Sequence, residues 1–309
     1  PPNARPAPRF LTPVRCLFMS LLAPRLQSDV TPQQLRRYAQ LVYQKIGVTI
    51  SEQKATLLSN RLRRRLRATG LNCYDEYYEL LCRTSTADPE WEAFLQEVTT
   101  HETFLFRDKS HWDWIHGVFL PDLMAQVRAG SRQPTLRVWS AACSTGDEAT
   151  SVACCAADRL TPLGDWKVEI IGTDVGCGAV AAAQRGVFSE RAVRLVPESM
   201  RKRFFDRAAD GLSWASKPVL RNMLRFSTHN LLEPLREAPF DLVLLKNVLI
   251  YFDAASKKKV LEQVRRVVRP GGVLITGAAE GVAELIRDYE STNGWLHRVP
   301  ATIKTGVKS

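Results

Sequence analysis

The sequence predicts an α/β chain: an all-helical N-terminal region, then a doubly wound, mainly parallel sheet interrupted by a small antiparallel insertion. Three observations predict it. Beyond residue 135, short apolar runs at 136–141, 167–173, 223–227, 240–245 and 272–276 alternate with helical stretches at 148–160, 178–184, 254–268 and 280–288. Strands separated by helices of that length form βαβ units. Before residue 100, apolar residues recur at helical spacing, as in Leu35, Tyr38, Leu41, Val42 and Ile46. Within the α/β region, after the second strand's helix, 187–221 is too long for a simple crossover and holds Asp210-Gly211, a hairpin turn pair.

The elements follow in order. Residues 1–30 are rich in Pro and Arg, resemble a secretory signal only weakly because the apolar core at 15–23 is short and interrupted, and read as a disordered leader. Thr31-Pro-Gln-Gln is a helix entry with Thr as N-cap and Pro in the first turn. Gly47 ends that helix. A second helix is expected from Ser51, capped by that serine, to Ala68, with Gly70 closing it. Its stripe is Leu58, Leu62 and Leu66, and Arg61, Arg63, Arg64, Arg65 and Arg67 crowd the other faces. Shorter helices are expected at 74–81 and 89–98, then a long connector helix over 108–127 anchored by Trp112, Trp114 and Phe119. A final strand is expected within 294–304. The resulting organisation is a leader (1–30), a helical domain (31–106), a connector helix and linker (107–135) and a sheet domain (136–309), with the inserted β-subdomain at about 187–221.

Composition narrows the class. A chain of 309 residues with 45% hydrophobic and 24% charged residues has the make-up of an ordinary globular protein of about two domains. No run approaches the ~20 apolar residues of a membrane span, so no membrane insertion is expected. Cys16, Cys73, Cys82, Cys143, Cys154, Cys155 and Cys177 form no C-x-x-C pair, which reads as reduced thiols in a cytoplasmic protein with no metal site. The net charge of +11 has a centre: residues 34–70 carry nine Lys/Arg against Glu52 alone. Such a block can face nucleic acid, anionic lipid, an acidic protein surface or solvent.

The chemistry concentrates where strands end. Leu136-Arg-Val-Trp-Ser-Ala-Ala-Cys-Ser-Thr-Gly-Asp-Glu148 reads as strand, tight turn and helix, the arrangement that places a cofactor at the carboxyl end of a first strand. With Gly146 alone in the turn it has neither a G-x-G-x-x-G nor a P-loop pattern. An acidic turn suits a cationic cofactor, and S-adenosylmethionine (SAM), with its sulfonium and ammonium, is the natural candidate. Glu148 can accept the ammonium or serve as an acid at a helix start. Asp174, ending the second strand, can hold ribose hydroxyls or cap the next helix. Asn230 can read an adenine edge or make a turn. After the fourth strand, Lys246 and Asn247 offer donors, while Tyr251 can aim a hydroxyl at the reacting centre or pack as a core aromatic. Arg107 closes an aromatic cluster behind His101 and Thr103, and can hold a carboxylate bidentately.

Together these segments resemble the CheR-type chemoreceptor glutamate methyltransferases. The resemblance spans about 31–304 and is carried by Asn60-Arg-Leu-Arg-Arg-Arg-Leu-Arg-Ala-Thr-Gly-Leu71, Thr99 to Arg107, Trp139 to Glu148, Ile171-Gly-Thr-Asp174, Asn230-Leu-Leu and Asn247-Val-Leu-Ile-Tyr-Phe-Asp253. It implies a SAM-dependent methyltransferase (Rossmann-like) domain behind a helical receptor-recognition domain. It also implies methyl transfer to glutamate side chains on the cytoplasmic helices of a receptor, by a protein-glutamate O-methyltransferase acting as a monomer in the cytoplasm. By position His101, Thr103, Arg107, Glu148, Asp174, Asn230, Leu231, Lys246 and Asn247 would line SAM. Arg107 and Tyr251 would flank the acceptor as the catalytic pair. Arg61, Arg63, Arg64, Arg65 and Arg67 would lie against acidic receptor helices.

The chain departs from the family pattern in three places. His101 stands where the family often has Asn and Lys246 where it often has Arg; both keep a donor, so cofactor binding is expected to survive. The turn Ala208-Ala-Asp-Gly211 is shorter than the Gly-rich loop of members that grip a receptor tail, so tail tethering is not expected. Two other classes stand beside this reading. A nucleic-acid methyltransferase would suit the charge, but no Asn-Pro-Pro-Tyr-like segment follows the fourth strand and the basic block lacks interleaved aromatics. A non-catalytic SAM-binding signalling module would keep Glu148 and Asp174 yet dispense with Arg107 and Tyr251.

Overall fold

The fifteen-residue helix between Thr31 and Gly47 opens on one local device. Thr31 Oγ1 accepts from the Gln34 amide while Gln34 Oε1 accepts from the Thr31 amide, a reciprocal capping box that opens helix α1 (Pro32–Ile46). The computed structural model describes residues 30–51, 54–84, 88–160 and 162–301. The expected leader, Val30 apart, and the stretch 302–304 of the expected last strand therefore lie outside the described residues.

Helix α2 (Ala55–Thr69) starts after Lys54, not at Ser51. Ser51 instead gives its carbonyl to the Lys54 amide in a turn ahead of the helix, which corrects the expected cap. Helices α3 (Tyr74–Arg83) and α4 (Pro89–Val98) complete the helical domain around Tyr38, Leu62, Leu66, Tyr77, Trp91 and Phe94, all buried. Burying each such side chain contributes about 1.5–3 kcal/mol.

The expected connector helix is one rod in three parts: α5 (Lys109–Trp114), a π-turn at Ile115–Phe119, and α6 (Leu120–Arg128). Pro121 has no amide to donate, so the ladder loosens in the turn before it. After it come β1 (Thr135–Ala141), α7 (Asp147–Arg159), β2 (Lys167–Asp174) and α8 (Cys177–Arg185). The insertion follows, with β3 (Val187–Ser189), α9 (Glu190–Val193), α10 (Glu198–Phe204), β4 (Phe205–Arg207), β5 (Ser213–Ser216) and α11 (Pro218–Arg221). Strands β3, β5 and β4 make the expected antiparallel sheet, and Asp210 closes the β4–β5 hairpin by accepting from the amides of Leu212 and Ser213.

The chain ends with β6 (Leu224–Thr228), β7 (Phe240–Leu245), α12 (Ala254–Val267), β8 (Val268–Thr276), β9 (Glu290–Asn293) and β10 (Leu296–Arg298). The main sheet runs β6-β2-β1-β7-β8-β10-β9. Its first five strands are parallel, and β10 and β9 run antiparallel at the edge. Separate cores cover its two faces, one beneath α7 and the connector, the other beneath α12. Strand order reverses between β1 and β7, the crevice where an open sheet of this kind binds its ligand.

One expected helix is absent. Over 280–288 there is a single 3-10 turn at Ala283–Leu285. The cause is Glu280, which is 1% exposed and accepts from the amides of Val248 and Ile250. Its own carbonyl accepts from Lys257, and Gly281 turns left-handed beside it, so the segment is tied to the loop after β7.

Candidate functional site

The helical domain closes over the sheet's switch point through polar ties at the end of α1. The Thr49 amide donates to Tyr251 O at 2.8 Å, Tyr43 Oη to Asp253 Oδ2 at 2.9 Å, and Asn230 Nδ2 to Lys45 O at 2.8 Å. Between the two bodies lies a cleft of about 1000 Å³, counting its open mouth. Its sheet side is made by His101, Ser144, Asp174, Asn230, Leu231, Asn247 and Tyr251, and its helical side includes Thr49, Lys54, Leu57 and Arg61.

The turn after β1 is strained in a way the sequence half discloses. Ala142 (φ 60°), Ser144 (φ 51°) and Gly146 (φ 84°) are all left-handed. Only at Gly146 is glycine also demanded by space, since a Cβ there would sit 2.8 Å from the Ala183 Cβ and 3.0 Å from the Phe226 ring. The non-glycine residues hold their conformations through fixed partners. The Ser144 amide donates to Asp174 Oδ2 at 2.8 Å, its hydroxyl to His101 O at 3.0 Å, and the Cys143 amide to Thr173 O.

Asp174 is 6% exposed and does two local jobs, since its other oxygen accepts the Gly176 amide at 2.9 Å. Each carboxylate oxygen keeps a further lone pair toward the cleft. His101 leans on it, Nδ1 to Oδ1 at 3.8 Å, and hydrogen-bonds Thr99 through Nε2 at 2.7 Å. That Nδ1 is buried with no hydrogen-bond partner among the described residues. Burial pushes the imidazole pKa down against the opposing pull of Asp174, keeping the ring neutral near pH 7. Asn230 is engaged on both sides, giving Nδ2 to Lys45 O and accepting the Leu232 amide, as a turn residue does. Asn247 is itself left-handed (φ 57°), and Tyr251 ends a 3-10 turn under the Lys54 ammonium, 5.1 Å from its ring centre.

Of the ten cofactor-lining and catalytic candidates, four sit outside this cleft. Lys246 is withdrawn: its side chain is 2% exposed, with Nζ 3.2 Å from Asp108 Oδ2 and 3.5 Å from Glu148 Oε2. Glu148 meets that ammonium on one oxygen and accepts from Ser140 Oγ at 2.8 Å on the other. Arg107 turns its guanidinium toward Glu102 O (3.4 Å) and the Phe104 ring (5.8 Å), and Thr103 is half-buried on the same loop.

The arginines of α2 divide into three groups. Arg61 lies in the cleft, donating to Val98 O at 2.5 Å and Thr100 Oγ1 at 3.3 Å, and burial, with Arg64 adding, lowers its pKa. Arg65 faces inward, held bidentately by Glu90, which also accepts from Tyr77 Oη. Arg63, Arg64 and Arg67 occupy the outer faces, Arg64 on Glu97. Arg61 and Arg65 stand three residues beyond Leu58 and Leu62, on the buried stripe, so helical spacing already distinguished them from Arg64 and Arg67. The sequence reading missed Lys54 and Thr49, which no local pattern marks. It also missed Glu280, whose buried carboxylate shapes the Asn247–Tyr251 loop.

Residues 101–295 match the family described as CheR methyltransferase, SAM binding domain, and residues 33–99 match CheR methyltransferase, all-alpha domain. The chemotaxis protein methyltransferase of Salmonella typhimurium is 33% identical over 260 residues, covering 82% of this chain and 85% of the relative. That of Escherichia coli is also 33% identical over 260 residues, covering 82% and 86%. Chemotaxis protein methyltransferase 1 of Pseudomonas aeruginosa is 34% identical over 251 residues, covering 79% and 88%.

Proposed function

This chain belongs to the CheR methyltransferase family, and from that premise we propose that it esterifies glutamate side chains on the cytoplasmic helices of a chemoreceptor, using SAM. The observation that carries the reading is the composition of one cleft. Acceptors for a nucleoside stand on its sheet side at Asp174 and His101, and cations for an anionic acceptor stand on its helical side at Lys54 and Arg61.

The residues fit SAM. The outward lone pairs of Asp174 and the unpartnered Nδ1 of His101 suit ribose hydroxyls. The cluster of Glu148, Asp108 and Lys246 carries two negative charges against one positive, and so has one negative charge left for an ammonium. Leu231 and Phe252 give apolar wall, and Asn247 adds a donor. When bound, SAM would supply an electrophilic methyl on a sulfonium to a carboxylate oxygen, with neutral thioether sulfur as the leaving group.

What the chain must do is align and desolvate. A glutamate acceptor with a pKa near ~4.3 is ionised at neutral pH, so no general base is needed. Tight hydrogen bonds to the nucleophile would slow attack, so Arg107 and Tyr251 orient the carboxylate. Arg107 reaches it by leaving Phe104, an exposed cation–π contact worth only about 0.5–1 kcal/mol. On the outer face of α2, Arg63, Arg64 and Arg67 meet acidic receptor helices. With Arg65 committed to Glu90 and Arg61 in the cleft, the basic block is no continuous phosphate track, which disfavours nucleic acid. The described helices include none long and apolar enough to cross a membrane. Action as a cytoplasmic monomer, without grip on a receptor tail, is part of the same proposal.

Incubation with methyl-labelled SAM and either a receptor cytoplasmic fragment or RNA tests it. Base-labile label on the receptor fragment is the expected result. Label on RNA alone, or SAM binding with no transfer to either, overturns it.

A further inference from the structure

Phe106 (φ 57°) and Asp108 (φ 64°) are both left-handed, so Arg107 is carried on a turn that its own residues do not favour. Something must hold it. The Phe106 amide donates to Ser151 Oγ on α7 at 2.9 Å, and Trp112 Nε1 donates to Arg107 O at 2.5 Å. The remaining hold is electrostatic: Asp108 Oδ2 lies 3.2 Å from the buried ammonium of Lys246, which also stands 3.5 Å from Glu148 and 5.3 Å from the centre of the Trp112 ring. His111 packs beside them against Trp295, held neutral by burial.

We infer that Lys246 is a positioning residue: its ammonium bridges Glu148, at the cofactor end of α7, to Asp108, and so fixes the turn that presents Arg107 to the acceptor. The inference deepens the methyl-transfer reading above and rests on it for Arg107. An ammonium has three donors and no acceptor, so one buried Lys can serve two carboxylates at once. At 2% exposure water cannot replace it. The bridge spans three separate elements, the end of β7, the start of α7 and the connector turn, so it makes the geometry on the acceptor side depend on the cofactor side.

The test uses the full chain with Lys246→Met and, because that variant leaves two carboxylates without their cation, also Asp108→Asn, whose side chain is 38% exposed and tolerates change. In the ligand-free protein, amide exchange over 105–112 is expected to quicken at least about tenfold in both variants, with exchange in α2 and β8 unchanged. In turnover, Asp108→Asn is expected to lower kcat about tenfold or more while KM for SAM moves less than about threefold. The double variant is expected to turn over no more slowly than Lys246→Met alone. Unchanged exchange in Asp108→Asn, or a wild-type kcat in it, overturns the bridge and returns Lys246 to a plain cofactor contact. If the wild-type chain methylates no receptor fragment, the functional reading fails while the exchange measurement still decides the bridge.

Discussion

The Ser144 amide and the Asp174 carboxylate meet at 2.8 Å, joining the left-handed turn after β1 to the end of β2. One side chain therefore both shapes the turn after β1 and offers acceptors to the cleft. Asp174→Asn replaces one acceptor oxygen with a donor, stranding either the Ser144 or the Gly176 amide at a cost of about 1–3 kcal/mol. The expected outcome is a SAM Kd raised about tenfold or more by calorimetry. Unchanged affinity with reduced stability would assign Asp174 to loop structure alone.

Arg65 and Arg67 lie on one helix but should separate cleanly. Arg65→Ala leaves the half-buried Glu90 carboxylate with the Tyr77 hydroxyl as its hydrogen-bond partner among the described residues and should destabilise the helical domain by about 1–3 kcal/mol. Arg67→Ala should leave Tm unchanged and raise KM for the receptor fragment, with a smaller effect as salt rises. Equal thermal shifts in the two variants would contradict this division.

Arg107 and Tyr251 are proposed to orient the acceptor, so their removal should appear in kcat more than in SAM affinity. Arg107→Ala should cost about 10²-fold in turnover, the scale of a misplaced reactant. Tyr251→Phe, losing at most one neutral hydrogen bond, should cost no more than about tenfold. Normal methyl transfer by both variants would refute the assignment.

His111 predicts the direction of the acid limit. Burial and the neighbouring Lys246 ammonium hold its pKa at about 4, against a partial upward pull from Asp108. Its unfolded value is near ~6.5. The unfolded chain therefore binds the proton first, so the stability due to neutral His111 is complete above about pH 6.5 and is lost as pH falls toward 4. His111→Phe should flatten the fall of Tm between pH 7 and pH 5. An identical slope in wild type and variant would remove His111 as the cause.

Much of this was legible because it is local. The capping box at Thr31 and Gln34, the strand cores at 136–141 and 240–245, and the hairpin at Asp210-Gly211 each follow from residues within a few positions of one another. The helix expected at 280–288 failed for the opposite reason. Its pattern is amphipathic, but Glu280 found amides thirty and thirty-two residues away in sequence, and three fixed hydrogen bonds outweighed a weak propensity.

The sequence by itself determined the architecture and the family, because periodicity and turn residues act over one or two turns of chain. Only the tertiary structure decided which charges are available. It drew Arg61 into the cleft, bound Arg65 to Glu90, and buried Lys246 between Glu148 and Asp108. A long cationic side chain is indifferent to its own helix or strand, and its partner is fixed by whichever carboxylate the fold brings near where water cannot compete.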